Sequence, residues 1–134
     1  MSLIEDALVN LIKADADLKG VISTRFYPVI MPQNTSFPAM TYLRISGVRQ
    51  QSHGGASGLA FARFQFDAWA KRYDDARDAS EKLRLIIEGY SGTVLGVVIN
   101  GILMLNERDG YENDTELYRV STDYLVQHNE AKPT

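Results

Sequence analysis

The sequence predicts an α+β domain with two helices packed on a mostly antiparallel sheet of four or five strands, in the order α-β-β-α-β-β. Apolar residues recur at helical spacing in two segments, whereas several other segments alternate apolar and polar residues as half-buried strands do. Strand segments that are neighbours in the sequence favour antiparallel pairing. The length of 134 residues fits one domain with its own core, which we assign to residues 1–128, followed by a polar tail at 129–134.

Two segments carry the signals of amphipathic helices. The first begins at a capping box in which Ser2 and Glu5 each satisfy an unpaired backbone donor, and a short helical turn over residues 17–22 follows. The second begins at Asp74, a favoured N-cap residue, and ends near Gly92. The apolar stripes expected to face the sheet are Ile4, Ala7, Leu8, Leu11 and Ile12 in the first helix and Ala76, Ala79, Leu83, Ile86, Ile87 and Tyr90 in the second.

Strands are expected on both sides of the second helix. A short strand near Phe26 is followed by a proline-rich loop and by a strand over residues 40–48. Residues 59–70 and 117–128 alternate most regularly. The residues expected to share one face are Leu43 and Ile45 in the first of these three strands, Ala60, Ala62, Phe64, Phe66 and Ala68 in the second, and Tyr118, Val120, Thr122, Tyr124 and Val126 in the third.

Two polar stretches are interpreted as loops. Residues 50–58 are rich in glycine and predict a long hairpin tip, and residues 108–114 predict a polar loop between two strands. Residues 93–114 are interpreted as strand, turn and strand, and because residues 97–105 are apolar on both faces, this region is either central in the sheet or covered by a partner. We expect the tip at 50–58 to be mobile in the free protein and to become ordered on assembly.

Composition excludes several classes of protein. The absence of cysteine excludes disulfides and thiolate metal sites and suits a cytosolic fold. The net charge of −3 argues against a nucleic-acid grip, which normally presents a basic surface. No run of about 20 apolar residues predicts a membrane span. The acidic residues that interrupt the apolar N-terminal segment do not fit a signal peptide.

The motifs of catalysis and of cofactor binding are missing. The glycine-rich segment HGGASGLA lacks both phosphate-binding glycine patterns, leads into a strand rather than a helix, and misses the spacing of a nucleophile elbow. The two histidines, His53 and His128, are too few and too scattered for a metal site. The acidic segment 109–116 lacks the oxygen ligand and the glycine that a calcium loop requires. We therefore expect no catalytic residue, no cofactor and no metal.

Four stretches carry a resemblance to a known family. The amphipathic start ends in RFYP at residues 25–28, and the proline-led strand FPAMTYLRISG follows. A later strand contains QFDAW at residues 65–69 and leads into a helix, and the closing element is RDGYENDTELYRVSTDYLV. In their order and spacing, over residues 2–128, these stretches resemble the phage tail completion family.

The resemblance implies a structural protein of the virion rather than an enzyme. Members of that family look like tail terminators, which form a hexameric ring that caps the tail tube and offers a surface to the head connector. The implied partners are further copies of the chain, the tail tube protein and the head connector proteins, with no membrane and no sequence-specific nucleic acid, although DNA would pass through the ring. The protein would lie in the virion tail or neck after assembly in the bacterial host cytoplasm.

Ten residues are candidates for contact with a neighbouring subunit, the tail or the head. They are Gln50, Gln51, His53, Ser57, Phe61, Arg63, Trp69, Arg108, Asp109 and Tyr111. Phe61 and Trp69 are included because they fall on the polar face of their strand. Two alternatives stay open: a head-side neck adaptor, and a small-ligand-binding α+β enzyme with a pocket lined by His53, Ser57 and Arg63.

Overall fold

The structure is a computed structural model that describes residues 3–52 and 55–129, with the backbone alone for residues 47–52 and 55–58. This part of the chain contains α1 (Ile4–Lys13), α2 (Ala16–Ile22), β1 (Phe26–Pro28), β2 (Ala39–Ser52), β3 (Gly55–Ala70), α3 (Tyr73–Ile87), β4 (Gly92–Val94), β5 (Val97–Glu112) and β6 (Leu117–Asn129). The strands form one sheet in the order β1-β2-β3-β6-β5-β4. β1 runs parallel to β2, and the other neighbouring strands are antiparallel. The sheet curls into a half-barrel.

The prediction of four or five mostly antiparallel strands with two helices is wrong, because the sheet is mixed and has six strands, and three helices are present among the described residues. The parallel pairing comes from β1, in which Phe26 lies beside Met40. β1 lies at the predicted short strand near Phe26, and β4 lies close to the start of the predicted strand, turn and strand, but each has only three residues. α2 is a helix of its own because Asp15 caps it, accepting a hydrogen bond from Leu18 N–H at 3.0 Å.

The start of α1 is capped differently from the prediction. The Asp6 carboxylate accepts a hydrogen bond from Leu3 N–H at 3.1 Å, which is the role predicted for Glu5. Ser2, the other half of the predicted capping box, lies outside the described residues. The helix therefore begins one residue later than the sequence pattern indicated.

The ends of α3 also differ from the prediction. The helix begins at Tyr73, so Asp74 lies in the first turn, where its charge complements the helix dipole, and it is not the N-cap. The helix ends at Ile87, and Gly89 reverses the chain with a φ of 77°. Gly92, the predicted end, already belongs to β4.

The predicted loop over residues 50–58 is largely strand. β2 and β3 continue to pair beyond a register shift between Arg49 and Gln51, and the last pairs are Gln51 with Ala56 and Ser52 with Gly55. Backbone hydrogen bonds sustain this pairing whatever the side-chain pattern is, so composition alone misreads it. Residues 53 and 54, and with them His53, lie outside the described residues. The mobility of the tip stays a prediction.

The predicted polar loop over residues 108–114 is mostly strand as well. β5 continues to Glu112, which pairs with Leu117 at the start of β6. Only residues 113–116 form the turn between the two strands. The polar side chains of this stretch flank a paired backbone, which explains why their composition resembles that of a loop.

The core lies between the three helices and one face of the sheet. Alternate residues of β3 enter it as predicted, namely Ala60, Ala62, Phe64, Phe66 and Ala68. Each helix contributes a leucine to the same cluster, namely Leu8, Leu18 and Leu83. The Phe66 ring lies 5.8 Å from that of Tyr124 and 6.3 Å from that of Phe26 between ring centroids. Aromatic stacking thus joins β1, β3 and β6 beneath the helices.

Candidate interaction surface

The face of the sheet opposite the helices, called the open face below, is the candidate functional surface. The helices bury their apolar residues against the other face, and no described element packs on this one. Its side chains are alternate residues of β2, β3, β6 and β5. Three polar residues on it are nevertheless buried, with exposures of 6% for Thr41, 3% for Ser121 and 2% for Asp123. Their neighbours in the sheet must supply the hydrogen bonds that water cannot.

Asp123 on the central strand β6 is held by two arginines from the strands on either side. Arg63 donates to Asp123 Oδ2 at 2.8 Å and Arg108 donates to the same oxygen at 3.1 Å. The Asp123 side chain is 3% exposed, whereas those of Arg63 and Arg108 are 40% and 45% exposed. These three residues are called the Asp123 cluster below. They connect β3, β6 and β5 across the open face.

Electrostatics keeps the Asp123 cluster ionised. Burial on its own would raise the pKa of Asp123, but hydrogen bonds from Arg63 and Arg108 and their charges hold that pKa below its usual value. Within the described residues, Asp123 Oδ1 and Arg63 Nε have no hydrogen-bond partner. Beside the cluster, Asp67 accepts hydrogen bonds from Gln65 Nε2 at 3.1 Å and from the Ser121 hydroxyl. The centre of the open face is thus a fixed polar network with unused hydrogen-bonding capacity.

Trp69 is fixed on the open face by two contacts. Its indole N–H donates to Thr41 Oγ1 at 3.1 Å. The Arg119 guanidinium carbon lies 5.4 Å from the centroid of the indole ring, a cation–π arrangement. The half-buried ring therefore has a set orientation before any partner arrives.

Apolar side chains border the polar centre on both sides. Leu43 on β2 is 40% exposed and Leu103 on β5 is 61% exposed. Phe61, Leu103 and Leu125 line a groove with a volume of 260 Å³, in which Gly101 contributes no side chain. The groove residues lie together, whereas Leu43 lies on the other side of the sheet, and grouped apolar side chains of this kind are typical of contact sites. The margins of the open face therefore favour a protein partner.

Near the C-terminal end of β5, side chains that point towards the helix face contact the start of α3. Tyr73 Oη donates to Asp109 Oδ2 at 2.7 Å, and this hydrogen bond raises the pKa of the tyrosine. Arg77 on the same helix donates to Glu107 at 2.8 Å. The Tyr111 ring lies 4.8 Å from that of Tyr118 between centroids. Asp109 and Tyr111 thus have structural contacts within the subunit.

The ten predicted interaction residues do not form one surface. Those on the open face are Phe61, Arg63, Trp69 and Arg108, and those on the helix face are Asp109 and Tyr111. Gln50, Gln51 and Ser57 belong to the β2–β3 hairpin, with side chains outside the description, and His53 lies outside the described residues. The structure therefore brings together Arg63 and Arg108, through Asp123, and separates them from Asp109.

Sequence reasoning missed Asp123 because a carboxylate at the polar positions of a strand normally faces water. The available signal was the position of β6, whose other face is built from Val120, Tyr124 and Val126, the pattern of a central strand. Among residues 3–52 and 55–129, no group of His, Asp or Glu side chains could hold a metal ion. In the same part of the chain, no helix is long and apolar enough to cross a membrane.

Comparison with known proteins identifies the family. The profile of the family described as "Tail completion protein gp17" matches residues 6–128. A solved chain from the "Virion of native gene transfer agent (GTA) particle" has a TM-score of 0.80 at 15% identity, with 94% of each chain covered. A second solved chain has a TM-score of 0.54 at 11% identity, covering 98% of this chain and 100% of its own. No curated protein matches the chain.

The family match covers the sheet and its helices, and it confirms the resemblance seen in the sequence. The similarity to the solved chains, at these identities, shows a shared fold. The chain therefore belongs to the tail completion protein gp17 family, and it is a structural protein of the phage tail, located in the virion, rather than an enzyme.

Proposed function

We propose that the protein completes or caps the tail tube and helps to join it to the head connector, as one subunit of a hexameric ring. The observation that carries this proposal is the open face, which surrounds a fixed Asp123 cluster with exposed Leu43 and Leu103. A polar centre with apolar margins on a wide sheet suits a protein partner. A small-molecule site would instead enclose its ligand in a deep pocket.

A ring places particular demands on each subunit. Closed rings of identical subunits use heterologous contacts, so every copy must present two different surfaces. The side chains of Arg63, Trp69 and Arg108 are already held in place by neighbours, which lowers the entropy lost when a partner binds. The open face is the proposed seat for the tail tube protein or the head connector, with Phe61 at the groove.

The β2–β3 hairpin is the proposed arm of the subunit. Within residues 55–129, β6 pairs with β3 from Leu59 onwards, so the backbone of residues 55–58 extends beyond the described part of β6. Gln50, Gln51 and Ser57 belong to this arm, and His53 lies between its two strands in the sequence. The arm would reach the tail tube, the connector or an adjacent subunit. Asp109 and Tyr111 would act at the opposite face, where Asp109 holds the start of α3 and the Tyr111 ring contacts that of Tyr118.

Deletion of the gene followed by complementation tests the proposal. We expect deletion to give tails of abnormal length that fail to join heads, as measured by electron microscopy of lysates. Leu103→Asp should fold but fail to complement, because it places a charge in the apolar margin of the open face. Leu85→Asp is the matched control, since Leu85 is 73% exposed on α3, away from the open face.

Two outcomes would contradict the proposal. Tails of normal length that join heads normally in the deletion strain would remove the proposed function altogether. Labelled protein found only on the head side of the junction would replace the tail-capping role with that of a neck adaptor. Equal complementation by Leu103→Asp and wild type would show that the open face is not the working surface.

A further inference from the structure

The Asp123 cluster has more positive than negative charge. Arg63 and Arg108 donate to the same oxygen of one carboxylate, at 2.8 Å and 3.1 Å, so two cations share a single anion. Within the described residues, neither arginine forms a second ion pair. Guanidinium groups that meet at one oxygen lie next to each other, and their like charges repel. The cluster therefore has room, electrostatically, for a second negative group.

We propose that the open face recognises an acidic side chain of its protein partner, which binds Arg63 and Arg108 on the solvent side of Asp123. This inference rests on the proposed function, in which the open face is the seat for the tail tube protein or the head connector. It names the chemical group that this partner contributes. A carboxylate there would balance the second cation through charge-assisted hydrogen bonds, which are about twice as strong as neutral ones.

The two arginines are accessible to such a group, whereas Asp123 is not. The side chains of Arg63 and Arg108 are 40% and 45% exposed, and that of Asp123 is 3% exposed. A guanidinium has five N–H donors, and the contact with Asp123 uses one from each arginine. A carboxylate of the partner can therefore bind the exposed parts of both arginines while Asp123 keeps its place beneath them.

The surroundings of the arginines strengthen this contact. Asp123 holds both side chains in position before the partner arrives, which lowers the entropy lost on binding. In the sheet Arg63 lies beside Leu125, and Leu125 lies beside Leu103, so apolar side chains border the cluster. A partner that covers these side chains excludes water, and attraction between opposite charges is stronger where water is excluded.

A carboxylate of a protein fits the open face better than a phosphate of DNA does. Binding to the DNA backbone requires many cationic side chains along a surface, whereas the chain has a net charge of −3. Asp67 lies on the same face, where it accepts hydrogen bonds from Gln65 and Ser121, and its charge would repel a phosphate backbone. The apolar margins of the face also suit a protein partner.

Replacement of the whole cluster separates recognition from stability. A chain with Arg63→Met, Asp123→Leu and Arg108→Met has no charge left to bury, and apolar groups of similar volume often replace a buried ion cluster without loss of stability. Urea unfolding should therefore show wild-type stability or more. Binding of labelled protein to tails or heads purified from the deletion strain should fall roughly 10- to 100-fold, as measured by co-sedimentation.

An ion cluster on α3 supplies the matched control. Arg84 contacts Glu81 and Glu88 of its own helix, so this arginine already has two carboxylates. A chain with Glu81→Leu, Arg84→Met and Glu88→Leu loses the same kinds of group at a site away from the open face. It should bind tails or heads as the wild type does.

Cross-linking identifies the acidic group of the partner. Arg108→Lys keeps the positive charge and introduces an amine, which a carbodiimide joins to a nearby carboxylate as an amide with loss of water. In a mixture of this variant with purified tails or heads, mass spectrometry should find the introduced amine joined to an Asp or Glu of the partner protein. Arg84→Lys is the control, and its cross-links should stay within its own chain because Glu81 and Glu88 are adjacent.

The outcomes separate this contact from the proposed function. Wild-type binding by the apolar triple variant, while Leu103→Asp fails to complement, would overturn the acidic contact and leave the open face as the working surface. Cross-links of Arg108→Lys that stay within its own chain would also overturn the contact. Double-stranded DNA retained on a filter by the wild type, but not by the triple variant, would assign the arginines to phosphate instead. Normal heads and tails in the deletion strain would remove the proposed function and this contact together.

Discussion

The two faces of the sheet are held by different physics, although the same strands build both. On β3, Phe64 and Phe66 point towards the helices and are 1% and 2% exposed, whereas Arg63 points the other way and pairs with Asp123. The helix face excludes water with apolar packing, which supplies most of the stability of a domain. The polar groups buried at the centre of the open face cost free energy unless their hydrogen bonds have good geometry. Alternate side chains of each strand therefore serve different purposes: one set stabilises the fold on the helix face, and the other forms the candidate interaction surface on the open face.

The largest expected effect contrasts two phenylalanines on β3. Phe66→Ala should lower the free energy of unfolding by about 3–5 kcal/mol, because it leaves a cavity among the rings of Phe26, Phe64 and Tyr124. Phe61→Ala removes the same atoms from the half-buried margin of the open face and should cost about 1 kcal/mol. Urea unfolding of both variants measures the difference. Equal losses would mean that the open face belongs to the core.

The next effect lies within the Asp123 cluster. Replacing both arginines, Arg63→Met with Arg108→Met, should cost about 3–5 kcal/mol, because the buried carboxylate loses its partners. Asp123→Asn should cost less, since each arginine is 40–45% exposed and returns to water. Urea unfolding at neutral pH compares the variants. A larger loss from Asp123→Asn than from the double replacement would contradict this asymmetry.

The contributions of the two faces to stability should also be lost at opposite ends of the pH scale. The pKa of Asp123 is lowered in the fold, so its contribution is complete above the unfolded value of about 4 and is lost as the pH falls through the folded value. Burial raises the pKa of Tyr124 on the helix face, so its contribution is complete below about 10 and is lost at higher pH.

Stability measured across pH tests this division. In a plot of the free energy of unfolding against pH, Asp123→Asn should reduce the loss of stability at acidic pH (the acid limb) and leave the loss at alkaline pH unchanged. Tyr124→Phe should reduce the alkaline loss and leave the acid limb unchanged. Glu81→Gln is a control for the acid limb, because Arg84 also lowers the pKa of Glu81 but both side chains are about 40% exposed. An acid limb that depends on Glu81 as strongly as on Asp123 would remove the special role of the cluster.

The sequence predicted the helix face well and the open face poorly. Alternation from Ala60 to Ala68 is a direct consequence of burial against helices, so the pattern is visible in the residues themselves. The cluster around Asp123 has no such pattern, because its three members come from three different strands and meet only through register. An ion pair between strands produces no repeating pattern of residues in the sequence.

The misread loops have a related cause. Residues such as Gln51 and Glu112 lie in paired strands, yet their side chains have the composition of loops. Strand pairing is a property of the backbone, and it does not require the alternation of apolar and polar residues by which a sequence reveals a strand. The family resemblance succeeded because it rests on the order and spacing of several stretches rather than on one element.

The smallest expected effect concerns Trp69, where a side chain on the open face is fixed without being buried in the core. Trp69→Phe removes the indole N–H that bonds to Thr41 and weakens the contact with Arg119, so the free energy of unfolding should fall by about 1 kcal/mol. The double variant with Thr41→Val should cost less than the sum of the single losses, because both substitutions remove the same hydrogen bond. Urea unfolding of the three variants measures this coupling. Strict additivity would mean that the hydrogen bond does not hold the ring, and that Trp69 gains its orientation only when a partner binds.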